Sequence, residues 1–322
     1  MGHVIALCGG VGGAKLAFGL SRVLPEADLT IVVNTGDDFE HLGLAIAPDL
    51  DTVTYTLAGL ADRERGWGLA DETWSFMAAL TRLGLEDWYL LGDHDLATHV
   101  ERTRRLAAGE TLSAVATDLA ARLGVTHALT PMSDQPVRTW VDTDAGPLAF
   151  QPYFVRERCA PVARGVRFEG AAAARPSPAF AAALARPDLD AIVICPSNPY
   201  LSIDPILAIP TVRAAIETAA APAVAVSPIV GGLAIKGPAA KLMRELGHTP
   251  SVGAVADHYR GLIDGLVIDT ADATDASALR QTGLGAHVTG TVMRGDDDRI
   301  ALAAETLAFA ATLRAGRTRR AG

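Results

Sequence analysis

Aromatic residues are scarce in this sequence, at 5% of 322 positions, although the chain is 49% hydrophobic. Alanine, leucine and valine must therefore fill its core. Such a composition suits helices packed on a parallel sheet better than a β-sandwich. Cysteine is scarce too. Cys8, Cys159 and Cys195 show no CxxC spacing and follow no secretion signal, which argues against a disulfide framework. Cys8 and Cys195 fall inside apolar runs and read as buried small hydrophobes. No apolar run reaches the roughly 18 residues of a membrane span, and no basic segment precedes a cleavable apolar stretch. The expectation is a cytoplasmic protein with no membrane partner. Positive charge is in deficit: a formal net charge of −9 argues against nucleic acid as a partner. The basic cluster Arg314, Arg317, Arg319 and Arg320 lies in the C-terminal tail, where solvated, fraying ends are common.

Several signatures of catalysis are also missing. The glycine stretch after the first apolar run is too short for a Walker motif, and Leu16 stands where Ser or Thr would bind magnesium. GxGxxG is absent, and Val33-Asn34 replaces the acid that ends the second strand of a NAD-dependent dehydrogenase. His94 and His99 are five residues apart, not the four of a helical zinc pair. No Ser-His-Asp or Cys-His arrangement emerges from the spacings.

What is present is an alternation of buried strands and helices. His3 to Cys8 is an apolar run, Gly9 to Gly13 a loop, and Ala14 to Val23 a helix; Leu29 to Val33 is a second strand. Further apolar runs at 191–195, 223–226 and 266–269 alternate with helical stretches near 178–184, 211–219, 239–246 and 301–313. The middle differs: helices over 71–83 and 112–123, then a hairpin of 138–141 with 148–154. The fold class expected is α/β, a Rossmann-like parallel sheet flanked by helices, with an inserted smaller helical and β-hairpin lobe. Residues 1–60 and 176–322 form the nucleotide-binding core in this reading, and 61–175 the lobe.

Candidate site residues cluster after strands, where open α/β sheets bind ligands. Gly9, Gly10, Gly12 and Gly13, with Lys15, either bring backbone N–H groups to a phosphate or only make a tight turn. Asn34 to Asp38 either binds a metal or hydroxyl, or Asp38 caps a turn. Asp49 and Asp51 enter a helix placed near 53–60; within one helix a separation of two would point them apart, so one capping and one working is the economical assignment. Asp93, His94 and His99 lie in a polar stretch that reads as a substrate-binding loop. Ser197 and Asn198 can read a base or ribose, or make an ordinary turn. Gly231 and Gly232 allow close backbone approach, and Lys236 can neutralise a phosphate.

The stretches GGVGGAKL, VVNTGDD, PDLDTVTYTLAG, LGDHDLATH, PSNPYLSI and SPIVGGLAIKGPAAK, in that order along nearly the whole chain, resemble the CofD-type 2-phospho-L-lactate transferases of deazaflavin coenzyme F-420 biosynthesis. The resemblance implies transfer of a phospholactyl or phosphoenolpyruvyl group from a guanosine diphosphate conjugate to the ribityl hydroxyl of a deazaflavin, with GMP leaving. It implies Mg²⁺ at Asp49 or Asp51, phosphate contact at Gly9 to Lys15, and a deazaflavin contact at His94. It places the guanosine against Ser197, Asn198 and the Gly231-Gly232 loop, and implies a possible homodimer. The rival reading is a non-enzymatic nucleotide-sugar-binding regulatory protein of a related glycine-loop family.

Overall fold

The computed structural model describes residues 2–235 and 237–321, with side chains to Ala315. Seven strands form the main sheet: β1 (His3–Cys8), β2 (Leu29–Val33), β3 (Ala128–Pro131), β4 (Leu189–Ile194), β5 (Ala223–Val226), β6 (Gly265–Asp269) and β7 (Gly285–Thr289). Their order is β7-β6-β5-β4-β1-β2-β3, and every pairing is parallel. Strand order reverses between β1 and β4, the doubly wound arrangement that opens a crevice at the strands' carboxyl ends.

Covering on both faces explains why the central strands read as unbroken apolar runs. Every residue of β1, β2, β5 and β6 is buried. Alternate side chains feed two cores: Ile5 and Leu7 join one, Val4, Ala6 and Cys8 the other. The second core is closed by α1 (Gly10–Val23), through Leu16 and Leu20, and by α4 (Asp296–Ala321), through Leu302 and Leu307. Between them in sequence, α2 (Pro48–Ala58) and α3 (Asp95–Ala107) bring polar side chains to the crevice. Among the described residues no helix is long and apolar enough to cross a membrane. Arg314 of the basic tail pairs with Asp190; the side chains of Arg317, Arg319 and Arg320 lie outside the described residues.

The middle of the chain differs in detail from its sequence reading. Ala128–Pro131, inside the 61–175 segment, pairs in parallel with β2, so this segment supplies an edge strand of the main sheet. The expected hairpin is a three-stranded antiparallel sheet, Gly146–Ala149, Arg138–Thr143 and Ala163–Glu169, in that order. Residues 152–154, expected as strand, belong instead to a helical turn over Pro152–Arg156. The helix expected over 71–83 begins only at Ser75, because the Asp93 carboxylate takes the N–H groups of Ser75 and Phe76, at 3.0 Å each.

Asp269, at the end of β6, fixes one wall of the crevice. It accepts from the N–H of Thr291 (2.7 Å), the Thr291 hydroxyl (3.0 Å) and the Ala271 N–H (3.0 Å). Burial pushes its carboxyl up, but these donors outweigh burial and hold it below the usual range. Its stabilising contribution is therefore present above the ordinary carboxylate pKa and lost as pH falls through the lower folded value. Asp269→Ala is expected to cost about 2–3 kcal/mol at neutral pH, read as a lowered chemical-denaturation midpoint. An unchanged midpoint would show that the Thr291 segment is held by other contacts.

Candidate functional site

The crevice begins where β1 ends. Gly9 is extended and Gly10 has φ +63°, a left-handed geometry that glycine adopts without strain. Helix α1 starts at Gly10, earlier than its apolar periodicity indicates. The Ser197 hydroxyl, from the loop after β4, accepts from the Gly9 N–H at 3.1 Å and donates to the Gly9 carbonyl at 2.8 Å. Both capacities of Ser197 thus latch the two loops together across the switch point. Side chains at Gly12 or Gly13 would collide with the Pro196 carbonyl or with Ser197 Oγ, so these glycines also permit the loops to touch.

Helix α2 meets α1 at this point. Asp49 is not the cap of α2: Ala47 takes that position, and Asp49 lies in the first turn. Its Oδ1 accepts from the Gly10 N–H at 2.8 Å, placing a carboxylate on the N-terminal end of α1. Its Oδ2 accepts from the Asn34 amide at 2.9 Å, and that amide also donates to Asp37 Oδ1 at 2.9 Å. Asp51 meets different partners. The Arg102 guanidinium of α3 grips both its oxygens, with Nη1 at 3.1 Å from Oδ2. His99 lies between Asp51 (3.7 Å) and Asp95 (3.3 Å), and Tyr55 donates to Asp95.

Negative charge is therefore concentrated and buried: Asp37, Asp38, Asp49 and Asp51 are each at most 7% exposed. Burial raises the Asp49 carboxyl to about 6, against the Asn34 and Gly10 bonds. Burial also lifts Asp37, with Asp49 adding repulsion, and lifts Asp38 despite Arg138 and Arg102. It raises Asp51 too, against the pull of Arg102 and His99. Asp38 Oδ1 is buried without a hydrogen-bond partner. Excess buried charge on oxygen ligands is a setting that suits a hard divalent cation, and Asp37 and Asp49 are the tied pair that lines the cavity. Asp51, Asp95 and His99 form a second group whose ligand atoms lie within 4.8 Å of one another. There Arg102 and Tyr55 already engage the two carboxylates.

The cavity measures about 660 Å³. Gly9, Gly10, Gly12, Lys15, Asp49, Asp51, His99, Ser197 and Asn198 line it; His99, expected in a loop, does so from helix α3. The Asn198 Oδ1 accepts from the Tyr200 N–H at 3.0 Å, while its Nδ2 is buried without a partner. Other candidates stand elsewhere. Gly13, Asn34 and Asp38 are buried behind the wall. Asp93 caps a helix, and His94 is exposed beside Glu72, its ring nitrogen 3.9 Å from that carboxylate. Gly231 and Gly232 turn a short hairpin, with Gly231 bonded to Asp272. Lys236 lies outside the described residues. Asp37, one of the two adjacent acids of the Asn34 to Asp38 segment, lines the cavity as well, and so do Trp88, Tyr89, Phe150, Phe154 and Arg158, which the sequence does not single out. Arg102 had a signal: with Asp95 and His99 it follows i, i+4, i+7 spacing on one face of α3.

A doubly wound parallel sheet, with an acid-walled and glycine-floored cavity at its switch point, defines the class: an α/β protein with the architecture of the nucleotide-binding folds. Comparison with known proteins narrows this. The family model described as 2-phospho-L-lactate transferase CofD matches residues 4–299. The chain is 41% identical to a phosphoenolpyruvate transferase of Streptomyces griseus, over 97% of this chain and 100% of that protein. It is 38% identical to a 2-phospho-L-lactate transferase of Methanosarcina mazei, over 90% and 94%, and 40% identical to one of Methanopyrus kandleri, over 95% and 96%. A crystal structure of a upf0052-family protein from Bacillus halodurans shares the fold at TM-score 0.58 and 16% identity, over 90% of this chain and 92% of that one. A second structure from that organism does so at TM-score 0.63 and 17% identity, over 95% and 99%. The chain belongs to the CofD family of transferases.

The Asp51–Arg102 pair gives a direct test of the buried charge balance. Arg102→Met leaves Asp51 buried without its cation and is expected to cost about 3 kcal/mol, seen as a lower denaturation midpoint. Asp51→Leu combined with Arg102→Met should recover part of that loss. An Arg102→Met protein as stable as wild type would show that Asp51 does not need this cation.

Proposed function

We propose that this protein transfers a phosphoenolpyruvyl or phospholactyl group from a guanosine diphosphate conjugate to the terminal ribityl hydroxyl of a deazaflavin, a step of coenzyme F-420 biosynthesis. The observation that carries this reading is the meeting of α1 and α2 through the Gly10–Asp49 hydrogen bond inside the cavity. It puts anion-binding backbone and carboxylates side by side, as transfer at phosphorus requires.

In this reading the donor's diphosphate lies along the Gly9 to Gly12 backbone with Lys15 beside it. The unpartnered Asn198 amide reads an acceptor atom on the guanosine. Trp88, Tyr89, Phe150 and Phe154 offer flat apolar surface to the deazaflavin ring. The acceptor's hydroxyl oxygen forms a new bond to the phosphorus that carries the three-carbon acid. The bond from that phosphorus to the bridging oxygen breaks, and GMP leaves with its electrons. Asp51, oriented by Arg102 and His99, accepts the hydroxyl proton. Asp49 and Asp37 would hold Mg²⁺, whose chemistry is to spread charge over the phosphate oxygens.

Purified protein, deazaflavin and the two candidate guanosine diphosphate conjugates, followed by mass spectrometry of product and GMP, test the reading. Release of GMP with a phosphodiester-linked deazaflavin is expected with at least one donor. Donor binding with no product from either would favour a binding protein over an enzyme. Asp49→Asn and Asp51→Asn, assayed separately with Mg²⁺, are each expected to lower kcat by about 100-fold or more. Wild-type turnover in both would refute the assignment of roles.

A further inference from the structure

Among the described residues, the lysines and arginines lining the cavity are Lys15, Arg65 and Arg158. Lys15 Nζ donates to the Met293 carbonyl at 2.8 Å. Arg65 is held by Asp62 (3.0 Å) and the Leu69 carbonyl (2.7 Å), and lies over the rings of Trp67 and Trp74. Arg158 differs: its guanidinium makes no hydrogen bond, ion pair or ring contact among the described residues.

The backbone that carries it is constrained. Arg158 has φ +49° and Cys159 φ +56°, two consecutive non-glycine residues in the left-handed region. The Cys159 N–H donates to the Tyr153 carbonyl at 2.9 Å and the Ala160 N–H to the Glu157 carbonyl at 2.8 Å, while Cys159 is buried. An unfavourable conformation is thus locked in place, and it delivers an unspent cation to the cavity wall. Held strain of this kind marks functional positions. On the same wall Phe150 and Phe154 stack at 5.4 Å.

We propose that Arg158 binds the carboxylate of the donor's three-carbon acid, and so selects acid-bearing donors. This rests on the transferase reading above. In that reading the diphosphate has its own partners in the α1 backbone, in Lys15 and in the Mg²⁺ that Asp37 and Asp49 would hold. The carboxylate of a phosphoenolpyruvyl or phospholactyl group needs a separate cation once it leaves water. A forked guanidinium with all its donors free matches a carboxylate's two oxygens.

The test uses Arg158→Gly, Arg158→Gln and Arg158→Lys, with KM measured separately for donor and deazaflavin and the affinity for GDP alone measured by calorimetry. Glycine relieves the left-handed backbone, so that variant separates loss of the guanidinium from loss of fold. Donor KM is expected to rise roughly 10- to 100-fold in the Gly and Gln variants, with partial rescue by Lys. Deazaflavin KM and GDP affinity should stay within about twofold, because neither carries the carboxylate. An unchanged donor KM, or a shift in deazaflavin KM or GDP affinity instead, would overturn the assignment. A wild-type protein that releases no GMP from either conjugate would overturn the transferase reading and this proposal together.

Discussion

The Asp49 carboxylate rests on the Gly10 N–H at 2.8 Å, and the site is built around that bond. The N-terminus of α1 is where a phosphate would be held by backbone and dipole. Here a carboxylate of the same chain already stands there, tied from behind by Asn34. Two anions at one helix end repel each other unless a cation lies between them. Burial raises the Asp49 carboxyl to about 6, while the bonds from Asn34 and Gly10 pull it down. In the proposed reading, a divalent cation held by Asp49 would reconcile the carboxylate with a phosphorylated ligand.

Around this bond the acids divide by partner. Both lie in the first turn of α2, but Asp49 faces α1 whereas Asp51 faces α3, where Arg102 grips it. A spacing of two residues on a helix separates side chains by about 200°, which lets one short segment serve two elements. The glycines have a related double use. Gly10 supplies the left-handed turn into α1, and Gly12 and Gly13 let that helix press against the loop after β4. Whatever they contribute to phosphate contact, they are first required for packing at the switch point.

How much of this was legible in the sequence follows from where the information lies. β1, α1, β2, β4, β5 and β6 were readable because parallel strands buried on both faces leave continuous apolar runs. β3 was not, since Ala128–Pro131 is four residues long and ends in proline. β7 was not, since an edge strand reading Gly-Ala-His-Val-Thr is only partly buried. Asp49, Asp51 and Ser197, which line the cavity, are legible as candidates because acids and hydroxyls after strands stand out locally. Asp93 and His94 stand out in the same way, yet Asp93 serves as a helix cap and His94 faces solvent. The aromatic wall comes from two segments far apart in sequence, Trp88-Tyr89 and Phe150 to Phe154, and no local pattern joins them.

Calorimetric binding of GDP with and without Mg²⁺ tests the central claim most directly. If a carboxylate occupies the anion position and a cation must bridge it to the phosphate, GDP binds at least about tenfold more tightly with Mg²⁺, and Asp49→Asn loses most of that difference. Equal affinity in both conditions would contradict the account, because the α1 N-terminus would then accept the phosphate beside Asp49 without help.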